Sequence, residues 1–198
     1  MKTQARLAGL AASFALAGTI AYGASDAGQC SIEGDPYDLD DAGVSALYDC
    51  IEAAMAEGYG REGDEIGSAF RGWAVTSTRP ALAGPHGERF LQTFANDVAA
   101  EQYLKFETEG VEMPEGSILA KESFRVGDDG VAKVGPLFIM TKVGEGESPD
   151  TNDWIYSALL PNGKPMGIQQ SFCSACHAGW AEQDDLAYPV EEVRISGN

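Results

Sequence analysis

An α+β architecture is predicted by three features of this 198-residue sequence. Apolar residues Val44, Leu47, Ile51, Ala54 and Met55 recur at helical spacing near the N-terminus. Four strand-like runs occupy the middle: Arg89–Ala95, Ser117–Val126, Val134–Val143 and Asp153–Leu160. The C-terminal stretch Gln169–Trp180 then reads as a helix or helical turn. Helices flanking a block of strands give a mostly antiparallel sheet with helices against it.

Each element has local reasons. Asp40 and Asp41 cap a helix that runs to about Glu57, and Gly58 is read as its end. Glu65–Trp73 suits a short helical turn. Pro80, Gly84 and Pro85 break the chain, so Thr78–Gly87 is expected to be loop. Asn96-Asp97 ends the first strand and caps a short helix, Val98–Phe106. An acidic loop, Glu107–Gly116, leads into the second strand. Gly127-Asp128-Asp129-Gly130 turns the chain into the third strand, and Pro161-Asn162-Gly163 follows the fourth.

The first 23 residues read as a secretory signal. Lys2 and Arg6 precede an apolar run, Leu7–Ile20, and Ala21-Tyr22-Gly23 offers small residues for cleavage after Gly23, with Ala27 as second choice. The run is too short to span about 30 Å of hydrocarbon, so no membrane span is expected. The remaining residues suffice for one domain with a sizeable core. The division expected is 1–23 signal, 24–72 a helical N-terminal segment, and 73–198 the site-bearing domain. The net charge is −18, and becomes more negative once Lys2 and Arg6 leave. Such an anion repels nucleic acid and anionic lipid, and attracts a cationic redox partner. A homodimer is compatible with all of this.

Cys173-Ser174-Ala175-Cys176-His177 carries the chemistry. C-x-x-C-H is the attachment signature of c-type haem: two thiols reach two vinyl groups, and the histidine ligates the iron. A plain disulfide or half a zinc site are the alternatives. Zinc needs two more ligands, and His86 is the only other histidine. One covalent haem c is therefore expected, held by Cys173, Cys176 and His177. In bacteria this attachment occurs outside the cytoplasmic membrane, which agrees with the signal and places the mature chain in the periplasm. Cys30 and Cys50 remain, and an oxidising compartment favours their pairing.

These pieces together resemble the cytochrome P-460 family, which includes the β-sheet cytochromes c′. The resemblance rests on Thr93-Phe94-Ala95-Asn96-Asp97, Pro114-Glu115-Gly116 leading to Lys121-Glu122, Phe138-Ile139-Met140-Thr141-Lys142, Asp153-Trp154-Ile155-Tyr156, and the C-x-x-C-H in that order. It covers roughly residues 73–180. It implies about five antiparallel strands, one haem with His177 as the iron's proximal ligand, and an iron face open to hydroxylamine, NO or CO. The family's enzymes oxidise hydroxylamine through a haem cross-linked to a lysine, with a distal carboxylate taking protons. Its other members bind NO and CO beneath phenylalanines.

The residues assigned on that basis are Lys121 at the haem edge, Glu122 as distal base, and Phe138 over the iron. Lys105, Lys133 and Lys142 are rival lysines. Glu145, Glu147 and Asp150 are rival acids, and Phe94 and Phe124 are further caps. Arg79 could bond a ligand or a propionate. The alternative function is a six-coordinate periplasmic electron carrier, with Met166, Met140, Met113 or His86 as the second axial ligand.

Overall fold

The computed structural model describes residues 30–195. The expected signal, residues 1–23, lies outside them. Helix α1 spans Asp41–Gly60, with the Asp40 carboxylate accepting from Gly43 N at 2.8 Å. That bond satisfies one of the open N–H groups of the first turn. Gly58 does not end this helix, contrary to expectation. Its lack of a side chain serves packing instead: a Cβ there would lie 2.2 Å from the Pro161 carbonyl oxygen. Helix α2 (Glu65–Ala69) passes into a 3-10 turn, Phe70–Gly72.

Among the described residues, eight strands form one antiparallel sheet: β1 Ala74–Val75, β2 Ala81–Ala83, β3 Arg89–Ala95, β4 Ile118–Val126, β5 Ala132–Val134, β6 Leu137–Lys142, β7 Trp154–Leu159 and β8 Pro165–Met166. The order is β1-β3-β4-β6-β7-β8, with β2 also on β3 and β5 also on β4. Four strands are long and match the sequence runs; four are short additions that raise the count above five. Two corrections follow. The stretch expected as loop before β3 contains β2, paired through Ala81↔Leu91 and Ala83↔Arg89, and a 3-10 turn at Gly84–His86. The run Val134–Val143 is split by Gly135-Pro136 into β5 and β6, because proline supplies no N–H to a ladder.

The sheet has two covered faces. On one, Ala120 and Phe124 of β4 join Phe90, Phe94 and Ile139 beneath Val44, Leu47, Ile51 and Met55 of α1. The Cys30–Cys50 bond fastens the entering chain to α1, while Cys30 O accepts from Ala132 N of β5 at 2.7 Å. On the other face, Leu119, Met140, Trp154 and Tyr156 pack with Ala99 and Tyr103 of α3 (Asp97–Tyr103) and with Leu186. Each fully buried large side chain contributes about 1.5–3 kcal/mol. Helix α4 (Gln170–His177) lies on this second face and passes into a 3-10 stretch, Ala178–Gln183. Among the described residues no helix is long and apolar enough to cross a membrane.

Candidate functional site

Helix α4 is held to the sheet by a side chain imitating a strand. The Gln170 amide donates to Tyr156 O at 2.6 Å and accepts from Tyr156 N at 2.8 Å. One turn later come Cys173 and Cys176, neither in a disulfide, and His177. His177 is buried, and its Nδ1 lies 2.8 Å from Asp185 O. A carbonyl only accepts, so Nδ1 carries the proton and Nε2 keeps its lone pair for a metal.

The carbonyl is aimed by a sharp reversal. Asp184 and Asp185 both adopt left-handed backbone, φ +56° and +59°. Aspartate tolerates this better than most residues, and here the surroundings fix it. The buried Asp184 carboxylate accepts from Lys142 Nζ at 2.7 Å, Asn152 Nδ2 at 2.8 Å and Met113 N at 2.8 Å. Its carbonyl accepts from Trp154 Nε1 at 2.9 Å. The reversal is thus bolted to β6 and β7, and the imidazole inherits that rigidity.

His177 opens on a cleft of about 190 Å³, walled by apolar residues including Ala81, Leu91, Pro85 and Val190. Cys176, Lys121 and His86 also line it. Lys121 is 5% exposed, and its Nζ reaches Ala187 O at 3.3 Å. No carboxylate pairs with it among the described residues. Burial lowers its pKa to about 8. His177 falls to about 4 and His86 to about 3, through burial first and the Lys121 charge second. Both imidazoles are therefore neutral, the form that ligates metals. Tyr188 also lines the cleft, and its buried hydroxyl has no partner among the described residues.

The structure sorts the sequence-assigned residues. Cys176, His177 and Lys121 line one cleft, with Cys173 one turn earlier on the same helix. Phe138 faces Lys121 across β6 and β4, and its ring lies 4.7 Å from that of His86. Glu122 does not join them. Successive strand residues point to opposite faces, so its carboxylate enters the α1 side and meets Arg71 at 2.6 Å and the Tyr48 hydroxyl. Burial pushes its pKa up to about 7, against the pull of both partners.

The rivals sit elsewhere. Phe94 and Phe124 belong to the α1 core. Arg79 pairs with Asp41, Lys133 with Asp129 and Lys142 with Asp184, while Lys105 bonds Gln102. Glu145, Glu147 and Asp150 are not cleft residues, nor are Met113, Met140 and Met166. Gln170, Asp184 and Asp185 were missed from sequence. The only trace of them was an acidic pair shortly after the haem motif.

Free thiols one helical turn apart, an imidazole with one nitrogen already committed, and an apolar cleft with an unpartnered tyrosine hydroxyl all fit a haem. The fold and site define a haem c cytochrome. A family model described as Cytochrome P460 matches residues 68–188, and the chain belongs to that family. The match includes Lys121, the whole of α4 and the Asp184–Asp185 reversal, and leaves out Cys30 and Cys50. A search of curated proteins returns no match.

Proposed function

We propose that this chain is an exported, periplasmic cytochrome with one haem, attached through thioethers to Cys173 and Cys176, that binds or oxidises hydroxylamine or NO at the iron face opposite His177. The observation that carries the reading is the joint placement of His177 Nε2 and a buried, unpaired Lys121 on one cleft. A haem there would supply an iron able to hold a small nitrogen ligand and pass electrons on.

The chain's own residues do the rest. Asp185 O holds the His177 ring in one tautomer. Apolar walls exclude water, which favours neutral diatomics. Lys121 Nζ, with a pKa near 8, can hold or release a proton close to neutral pH. It takes over the proton-handling role assigned to Glu122, whose carboxylate lies on the other face. Phe138 packs against the His86 ring from outside the cleft lining. The net charge of −18 suits a cationic redox partner.

A second reading, the six-coordinate electron carrier, is favoured by His86 alone, which faces the same cleft. The test has two stages. Intact mass of protein matured in a periplasm should show one covalent haem, lost when Cys173 and Cys176 are both replaced by Ala; its survival would refute the site. Hydroxylamine oxidation with an artificial electron acceptor should then be measured for wild type and Lys121→Met. Turnover lost with the lysine supports the enzyme. No turnover in wild type, with CO and NO still binding, leaves a gas binder.

A further inference from the structure

We propose that His86 is a second axial ligand of the same iron, opposite His177, and that it must leave before a small molecule can bind. This rests on the reading of the cleft as a haem site. The His86 and His177 rings stand 6.4 Å apart, centre to centre, with their planes at 88°. Metal–imidazole nitrogen bonds are about 2 Å long, and a ring nitrogen lies about 1 Å from its ring centre. Two imidazoles on opposite sides of one metal therefore stand roughly 6 Å apart. The observed gap leaves room for one metal atom between the two rings. His86 and Phe138, which touch, are closer at 4.7 Å.

The backbone explains how His86 arrives there. It ends the Gly84–His86 turn at the tip of the hairpin joining β2 to β3. The turn is closed by Gly87 N donating to Gly84 O at 2.9 Å, and Gly87 has φ +76°. Only glycine takes that conformation without strain. The hairpin is anchored through Ala83↔Arg89, so the tip is fixed at both ends yet flanked by two glycines. Such a tip can swing away without disturbing the ladder. Phe138 limits the sideways freedom of the ring. His177 commits one nitrogen to a carbonyl, whereas His86 makes no hydrogen bond among the described residues and is free to ligate. Neither Met140 nor Met166 lines the cleft, so the thioether alternatives fall away.

The test uses the haem-loaded protein and reads spin state. Ferric wild type should be low-spin by electron paramagnetic resonance and optical spectroscopy. His86→Ala should convert it fully to high-spin, and added imidazole should restore the low-spin signal. Binding of CO to the ferrous protein should be slow and independent of CO concentration at high CO in wild type, because His86 release limits it. In His86→Ala it should be fast and proportional to CO. Far-UV circular dichroism and intact mass confirm that the variant is folded and carries haem. His86→Met, which keeps a ligand at the site, should stay low-spin with an altered spectrum. A high-spin ferric wild type with haem in place overturns this proposal alone. A low-spin signal that survives His86→Ala, or is lost in Lys121→Met, also overturns it. Absence of covalent haem from wild type overturns the proposed function as well.

Discussion

Lys121 and Glu122 are neighbours on β4, both buried, and treated oppositely by the two faces of the sheet. On the α1 face, Glu122 has Arg71 at 2.6 Å and the Tyr48 hydroxyl, and Arg71 also reaches Glu52 at 3.0 Å. The buried carboxylate there has its counter-charge and two hydrogen-bond donors. On the cleft face, Lys121 has one carbonyl at 3.3 Å and no counter-charge. A buried charge that is paired and bonded holds a structure in register. One left unpaired beside an apolar cleft is costly and marks a place where chemistry is done. The two faces differ in how they treat a buried charge: one pairs it, the other leaves it facing a cleft.

The largest expected effect breaks the pairing. Arg71→Ala removes the counter-ion of the buried Glu122 and its bond to Glu52, and should cost about 3–5 kcal/mol of stability by chemical denaturation. The haem spectrum of the folded fraction should not change. Lys121→Met fills similar space without a charge and should leave stability within about 1 kcal/mol or raise it, while altering the cleft's chemistry. Equal losses from both variants would erase the contrast.

The disulfide belongs to the same face. Replacing Cys30 and Cys50 with Ala should lower stability by about 3 kcal/mol, through loss of a closed loop in the unfolded chain. Haem content should hold. Two alkylatable thiols in the native wild-type protein would remove the bond from the account.

A further effect concerns pH. Glu122 has a folded pKa of about 7, above the ordinary 4.5. The folded state therefore keeps this proton when the unfolded state has lost it. Its contribution is full below about pH 4.5 and is lost as pH rises through 7. Wild type minus Glu122→Gln should show this decline, on the order of 1–3 kcal/mol across that window. A flat difference would mean that Arg71 and Tyr48 hold the carboxylate ionised throughout.

What the sequence determined was local or compositional. Cys173, Cys176 and His177 lie close together on one helix, so their spacing alone pointed to them. The strand bounds of β3, β4 and β7 followed from β-branched and aromatic runs between turn residues. Cys30 and Cys50 were paired by elimination. What the tertiary structure decided was which face of a strand meets the cleft. Alternation requires Lys121 and Glu122 to part, yet nothing in their immediate neighbours says which one goes where; α1 and α4, distant in the chain, settle it. The same holds for His86. Its Gly-Pro-His-Gly context reads as loop, and only the pairing of β2 with β3 carries that loop to His177. Asp185 is the clearest instance. Its contribution is a backbone carbonyl, which every residue possesses, so no side-chain pattern could have announced it.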